Sequence, residues 1–147
     1  MAGYRDGTTA GESVAQGEAA GAITPAQRQA VGGALTKLIS ASIGDVCVVL
    51  SESPAHKHFS LADIEWKVLP AVLLGQFYVA EAMHTETGAR APLAVVTWAR
   101  VSDETDARLR SAPGQSIRLR PDEWAAGPYH WLIDVAGEPR AIAGALA

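Results

Sequence analysis

The apolar periodicity changes once along this chain, and that change restricts the architecture more than any other feature. Up to Leu73 the apolar positions recur at spacings of three and four: Val31, Leu35, Leu38, Ile39, Ile43, Val46, Val49 and Leu50, then Leu61, Ile64, Val68, Leu69, Val72 and Leu73. Such spacing lines one face of a helix. From Gln76 onward the apolar residues instead come in short runs separated by turn residues, which is the pattern of strands. The chain therefore opens with helices and continues as a sheet.

Local signals set the element ends. Thr24-Pro25-Ala26-Gln27 is a helix start, with Thr24 as cap, Pro25 in the first turn and Gln27 completing a capping box. The β-branched run Val46–Leu50 could form a strand, but the unbroken helical phase favours one helix ending before Pro54. Ser60 caps a second helix, with Asp63 in its first turn, and Pro70 is expected to kink or end it. Gln76–Ala82 and Ala91–Arg100 read as a hairpin around the turn 85–90. Ser102 caps a short helix to about Arg110, Ile117–Arg120 reads as an edge-like strand, Tyr129–Ala136 as a buried strand, and Pro139–Ala147 as one or two helical turns. This order predicts a mixed α/β (α+β) domain, a largely antiparallel sheet flanked by helices. Residues 1–23, rich in small and polar types, read as a flexible tail, leaving 24–147 as one domain.

Composition excludes several function classes. A chain of 147 residues with net charge −4 is one domain's worth of polypeptide and a poor non-specific nucleic-acid binder. The single cysteine, Cys47, excludes a disulfide framework and a cysteine-built zinc site within one chain. No uninterrupted apolar stretch approaches the 18 or so residues of a transmembrane helix, so no membrane span is expected. The N-terminus lacks the apolar core of a secretory signal, and the expected compartment is the cytoplasm. Walker, dinucleotide-binding and nucleophile-elbow motifs are all missing.

Two places stand out chemically. Ser53-Pro54-Ala55-His56-Lys57-His58 puts two imidazoles on a stiffened loop between helices, where a group titrating near neutrality can move protons. A metal held by His56, His58 and Asp63 has no diagnostic spacing, and none is expected. The second place is Asp134, a carboxylate interrupting Trp131-Leu132-Ile133-Asp134-Val135. It either faces solvent or holds an imidazole as in a His–carboxylate dyad, and both readings stay open here. Arg108, Arg110, Arg118 and Arg120 lie among five carboxylates (Asp103, Glu104, Asp106, Asp122 and Glu123) and read as a salt-bridged surface.

Ser53-Pro54-Ala55-His56, the stretch Leu61-Ala62-Asp63-Ile64-Glu65-Trp66-Lys67-Val68-Leu69-Pro70-Ala71, and Gln76-Phe77 together resemble the toxin-activating lysine acyltransferases, the partners of RTX haemolysins. So do Ala94-Val95-Val96-Thr97-Trp98-Ala99, Val101-Ser102-Asp103-Glu104, Asp122-Glu123-Trp124-Ala125-Ala126-Gly127 and Trp131-Leu132-Ile133-Asp134. The resemblance implies a fold similar to the GNAT acyltransferases. It also implies transfer of a fatty acyl group from acyl carrier protein to a lysine of an RTX-type protoxin, with no bound cofactor. The family's essential His falls on His56, its essential Asp on Asp134, and its motif Ser on Ser53, the last as a positioning group. Family members continue after the aspartate with Ala-Pro-Phe-Gly, where this chain has Val135-Ala136-Gly137-Glu138-Pro139. The chain thus resembles a short variant, expected to cover the edge of its last strand by homodimerising. The alternative is a non-catalytic protein-binding module on the same fold.

Overall fold

A computed structural model describes residues 24–147; the expectation of a flexible tail over 1–23 lies outside the described residues. The described residues divide into two units between Leu35 and Thr36, the second running from Thr36 to Ala147. The described part of the first is the beginning of helix α1, where Thr24 and Gln27 form the expected reciprocal cap (2.7 and 3.1 Å).

α1 runs from Pro25 to Glu52. The Val46–Leu50 run is helical because Val46, Val49 and Leu50 share one face and are all buried in the core; burial on a helix face outweighs β propensity here. Ile39 and Ile43 pack against the same cluster, whereas Leu38 is exposed. By length and composition α1 is apolar enough to cross a bilayer. Small and hydroxyl residues, with Lys37 and Asp45, punctuate its apolar stretch, so a count of uninterrupted apolar residues passes over it. Its C-terminal turns are nonetheless part of the protein core.

Ser60 caps α2 (Leu61–Asp63) in a complete capping box with Asp63. Of the two outcomes expected at Pro70, a kink or an end, the helical run does not end but is distorted. A π-helical turn, Ile64–Val68, precedes the proline, with Leu69 N–H bonding the carbonyl of Ile64, and α3 (Leu69–Leu73) follows. Proline inside an α-helix clashes with the carbonyl four residues back; the wider turn absorbs the missing donor and the ring together. The inserted residue also shifts the helical phase. Val68, Ala71 and Val72 are buried, while Leu61 and Leu73 face outward (87% and 58% exposed).

Three antiparallel strands form the sheet, in the order β1 (Phe77–Met83), β2 (Arg90–Val101), β3 (Tyr129–Gly137). α1, the π turn and α3 cover one face through Val46, Leu50, Val68, Val72, Val95 and Ala136. After Gly137, α5 (Pro139–Leu146) turns onto the other face, where Leu146 lines a cavity together with Val96 and Trp98. Gly137 has φ +111°, and a Cβ there would lie 2.2 Å from the Leu93 carbonyl oxygen, so only glycine allows this crossing. β2 and β3 are out of step between Thr97 and Trp98: Thr97 faces Asp134 but Trp98 faces Leu132, which leaves Ile133 as the extra residue of a bulge.

α4 (Asp103–Arg110) starts at the Ser102 cap as expected. Ile117–Arg120, however, is not a strand. Leu119 is buried with Trp124, Ala99 and Val101, and the Arg120 N–H bonds Glu123 Oε2 (2.7 Å). The segment is held by one anchoring side chain and a turn, and pairs with no strand.

Candidate active site

The end of α1 brings the first two groups together. His56 N–H and Lys57 N–H both bond the Ser53 carbonyl (3.0 and 2.9 Å), and Phe59 N–H bonds that of His56. Pro54 fits this turn because its position needs no donor. The tight winding brings Ser53 Oγ to 2.7 Å from His56 Nδ1. Phe59 packs edge-on against the imidazole, with ring centroids 5.3 Å apart.

Asp134 reaches the same place from β3. Its backbone N–H donates to Thr97 Oγ1 on the opposite strand (3.1 Å). The bulge at Ile133 reverses the strand's alternation at this point. Trp131 and Ile133 pack into one core cluster, and Asp134 and Ala136 then face the same helical layer. The carboxylate is therefore turned inward, its side chain only 4% exposed, and Oδ1 lies 3.2 Å from His56 Nε2. Of the two readings left open by the sequence, the solvent-facing one is excluded.

A third group completes the cluster. Lys67, in the π turn, places Nζ 3.0 Å from the same Asp134 Oδ1 and 4.6 Å from the centre of the Phe59 ring. Lys67 Nζ donates a hydrogen bond to Asp134 Oδ1, and the same oxygen is the polar neighbour of His56 Nε2. In the neutral ring protonated at Nε2, His56 Nδ1 accepts from the Ser53 hydroxyl. Ser53, His56 and Asp134 thus lie in one line of polar contacts, a Ser53–His56 hydrogen bond followed by a 3.2 Å His56–Asp134 contact, with the carboxylate pinned by a cation. Asp134 Oδ2 is buried without a partner among the described groups, so the compensation of that carboxylate is concentrated at Oδ1.

Ser53, His56 and Asp134, singled out from the sequence, are brought together; Lys67 was not anticipated. The missed signal was a lysine one residue before Val68 on a helix face otherwise apolar. It is the counterpart of a carboxylate in an apolar strand. Lys57, the lysine adjacent in sequence, is exposed, as are His58 and His130. Asp63, the third member of the metal grouping, is held by Ser60 N–H and Oγ and by Trp66 Nε1. Its carboxyl is held below the usual range mainly by the Ser60 N–H. Among the described residues no group of three or more His, Cys, Asp or Glu is placed to hold a metal ion.

The arginines do pair with the neighbouring acids. Arg108 bonds Glu123 (2.8 Å) and Arg110 bonds Asp106 (2.8 Å). The Arg108 guanidinium holds the buried Glu123 carboxyl below the ordinary carboxylate range, with the Arg120 N–H assisting. Beside the Asp134 cluster lies a cavity of about 430 Å³, walled by Trp66, Leu109, Ile117, Leu119, Trp131 and Ile133, with Lys67 and Arg110 among its lining.

Comparison with known proteins matches this framework. The model of the RTX toxin acyltransferase family matches residues 37–141. The chain is 27% identical over 92 residues to the RTX-II toxin-activating lysine-acyltransferase ApxIIC of Actinobacillus pleuropneumoniae, covering 63% of this chain and 52% of that one. It is 30% identical over 97 residues to the lysine-acyltransferase RtxC of Vibrio cholerae, covering 66% and 58% respectively. To the leukotoxin-activating lysine-acyltransferase LtxC of Aggregatibacter actinomycetemcomitans it is 28% identical over 92 residues, covering 63% and 49%. The chain spans about half the length of the curated relatives it matches.

Proposed function

The chain belongs to the RTX toxin acyltransferase family, and from that premise we propose that it is a protein-lysine N-acyltransferase. In this reading it moves a fatty acyl group from acyl carrier protein to an internal lysine of an RTX-type protoxin. The observation that carries it is the Ser53–His56–Asp134 cluster, in which a Ser53–His56 hydrogen bond is joined by a 3.2 Å contact between His56 and Asp134, residues 78 positions apart (134 − 56).

The chemistry follows from this cluster. A lysine amine is mostly protonated at pH 7 and must lose a proton before it attacks a thioester. His56 receives that proton at Nδ1, directly or through the Ser53 hydroxyl. Asp134 holds the ring's orientation and stabilises its charged form. The amine nitrogen bonds the thioester carbon and gives up a second proton as the carbon–sulfur bond breaks; one of the two protons ends on the leaving thiolate and the other passes from His56 to water. General-base assistance of this kind contributes about 10²–10⁴-fold in rate.

The reading extends to a cytoplasmic reaction, a GNAT-like arrangement of the sheet and a homodimer. β3 is an edge strand with an outward Leu132, 54% exposed, which supports self-association; light scattering at micromolar concentration tests it, a monomer counting against it.

Co-expression with an RTX-type protoxin and acyl carrier protein, followed by intact-mass analysis, tests the activity. One acyl mass on a protoxin lysine is expected with the unaltered chain, and none with His56→Ala. An unmodified protoxin that still co-purifies with the chain would replace this reading with the binding-module one.

A further inference from the structure

Lys67 has no role in the reaction written above, yet among the described residues it is the one charged side chain that both touches the Asp134 cluster and lines the neighbouring cavity. We propose that Lys67 is a catalytic residue: its ammonium donates a hydrogen bond to the carbonyl oxygen of the acyl thioester and stabilises the negative charge that develops there. The proposal rests on the acyltransferase reading and adds a group to it.

Three observations carry it. The first is donor capacity. An ammonium has three N–H donors, and among the described residues Asp134 Oδ1 is the single hydrogen-bond acceptor that Lys67 meets. Its other neighbours are aromatic faces, Phe59 at 4.6 Å and Trp66 at 5.5 Å. These hold a cation in place without occupying a conventional acceptor, so two N–H groups stay available to a substrate oxygen.

The second is position. Trp66, Leu109, Ile117, Leu119, Trp131 and Ile133 give the cavity an apolar part that suits an acyl tail, beside the polar Arg110, Gln115 and Ser116, and at about 430 Å³ it falls in the range of small-molecule sites. An acyl chain lying there, with its carbonyl carbon turned toward the His56 cluster, brings the carbonyl oxygen to the one place where cavity and cluster meet, which is Lys67.

The third is cost. Lys67 is only 16% exposed, and a largely buried ammonium is expensive unless paired. A helix face packing Val68 and Ala71 into the core would be served at lower cost by an apolar residue. The pairing with Asp134 fixes the direction of the ammonium before substrate arrives. A prealigned donor of this kind is what stabilises a developing oxyanion, and removing one such donor lowers kcat about 10²–10³-fold.

The step balances without any further reactant. As the acceptor amine adds, the carbonyl π electrons move onto oxygen and are held by the Lys67 N–H. They return as the carbon–sulfur bond breaks, and Lys67 ends the cycle unchanged and still protonated.

Steady-state transfer from an acyl-acyl carrier protein to the protoxin, compared for the unaltered chain, Lys67→Met and Lys67→Arg, tests this. Lys67→Met should lose about 10²–10³-fold in kcat with the KM for the acyl donor within roughly threefold, and Lys67→Arg should recover part of the loss because it restores a charged donor. Lys67→Gln, which keeps a neutral N–H donor, carries the same comparison if Lys67→Met does not fold by circular dichroism. A kcat within threefold of the unaltered chain overturns the role of Lys67 and leaves the acyltransferase reading standing. A raised KM with unchanged kcat also overturns it, since Lys67 then only binds the donor. No transfer by the unaltered chain removes both.

Discussion

Removing either partner of the Lys67–Asp134 pair should destabilise the fold, whereas removing both should nearly restore it. At 3.0 Å the attraction is about 5 kcal/mol for an effective dielectric constant near 20. Part of this only offsets the desolvation of two charges that are 16% and 4% exposed. Asp134→Leu leaves the ammonium over Phe59 with no counter-ion, but the long lysine stem can carry it toward water, so a loss of about 2 kcal/mol is expected. Lys67→Met leaves a carboxylate that cannot move, because Thr97 and the β2–β3 ladder hold its backbone. About 3 kcal/mol is expected there. The double variant replaces a buried pair by apolar groups and should lie within about 1 kcal/mol of the starting protein, which implies a coupling near 4 kcal/mol. Urea unfolding measures all four; with slopes of about 1–3 kcal/mol/M, the single changes shift the midpoint by roughly 1–2 M. If the double variant loses the sum of the two singles to within about 0.5 kcal/mol, the two charges are not coupled and the inward orientation of Asp134 is wrong.

Three further outcomes are expected. His56→Ala should reduce acyl transfer about 10²–10⁴-fold while His58→Ala, whose ring is exposed, stays near the unaltered rate; the reverse order in a protoxin acylation assay would move the base to His58. Trp124→Ala empties the largest fully buried side-chain site and should cost about 3–5 kcal/mol in urea unfolding, a loss under about 1 kcal/mol contradicting the packing described. Glu123, held below its ordinary range by Arg108, contributes stability that is fully present above the unfolded value near pH 4.3 and is lost as pH falls through the lower folded value. Glu123→Gln should therefore flatten the acid limb of a stability–pH curve, and an unchanged slope would show that the Arg108 pairing does not count.

The elements were legible in the sequence wherever the deciding interaction is local. The Thr24, Ser60 and Ser102 caps reach only three residues ahead, and all three mark real helix starts. The Ser53–His56 contact is also a three-residue contact within one turn, so a motif four residues long carries half of the candidate site. What spans the fold was not legible. Ile117–Arg120 has strand-like residues but no strand to pair with, because Leu119 is drawn into the core beside Trp124. The direction of Asp134 turns on a bulge one residue earlier, at Ile133; without that extra residue the carboxylate would lie on the face opposite Trp131 and Ile133, away from His56. Lys67 meets Asp134 across 67 positions, and the π turn that carries it arises from Pro70 further along the helix. Sequence spacing states which residues share a turn or a helix face. Which face of β3 receives a charge, and which cation answers it, is decided by register and packing, because both depend on strands and helices that meet only in the folded chain.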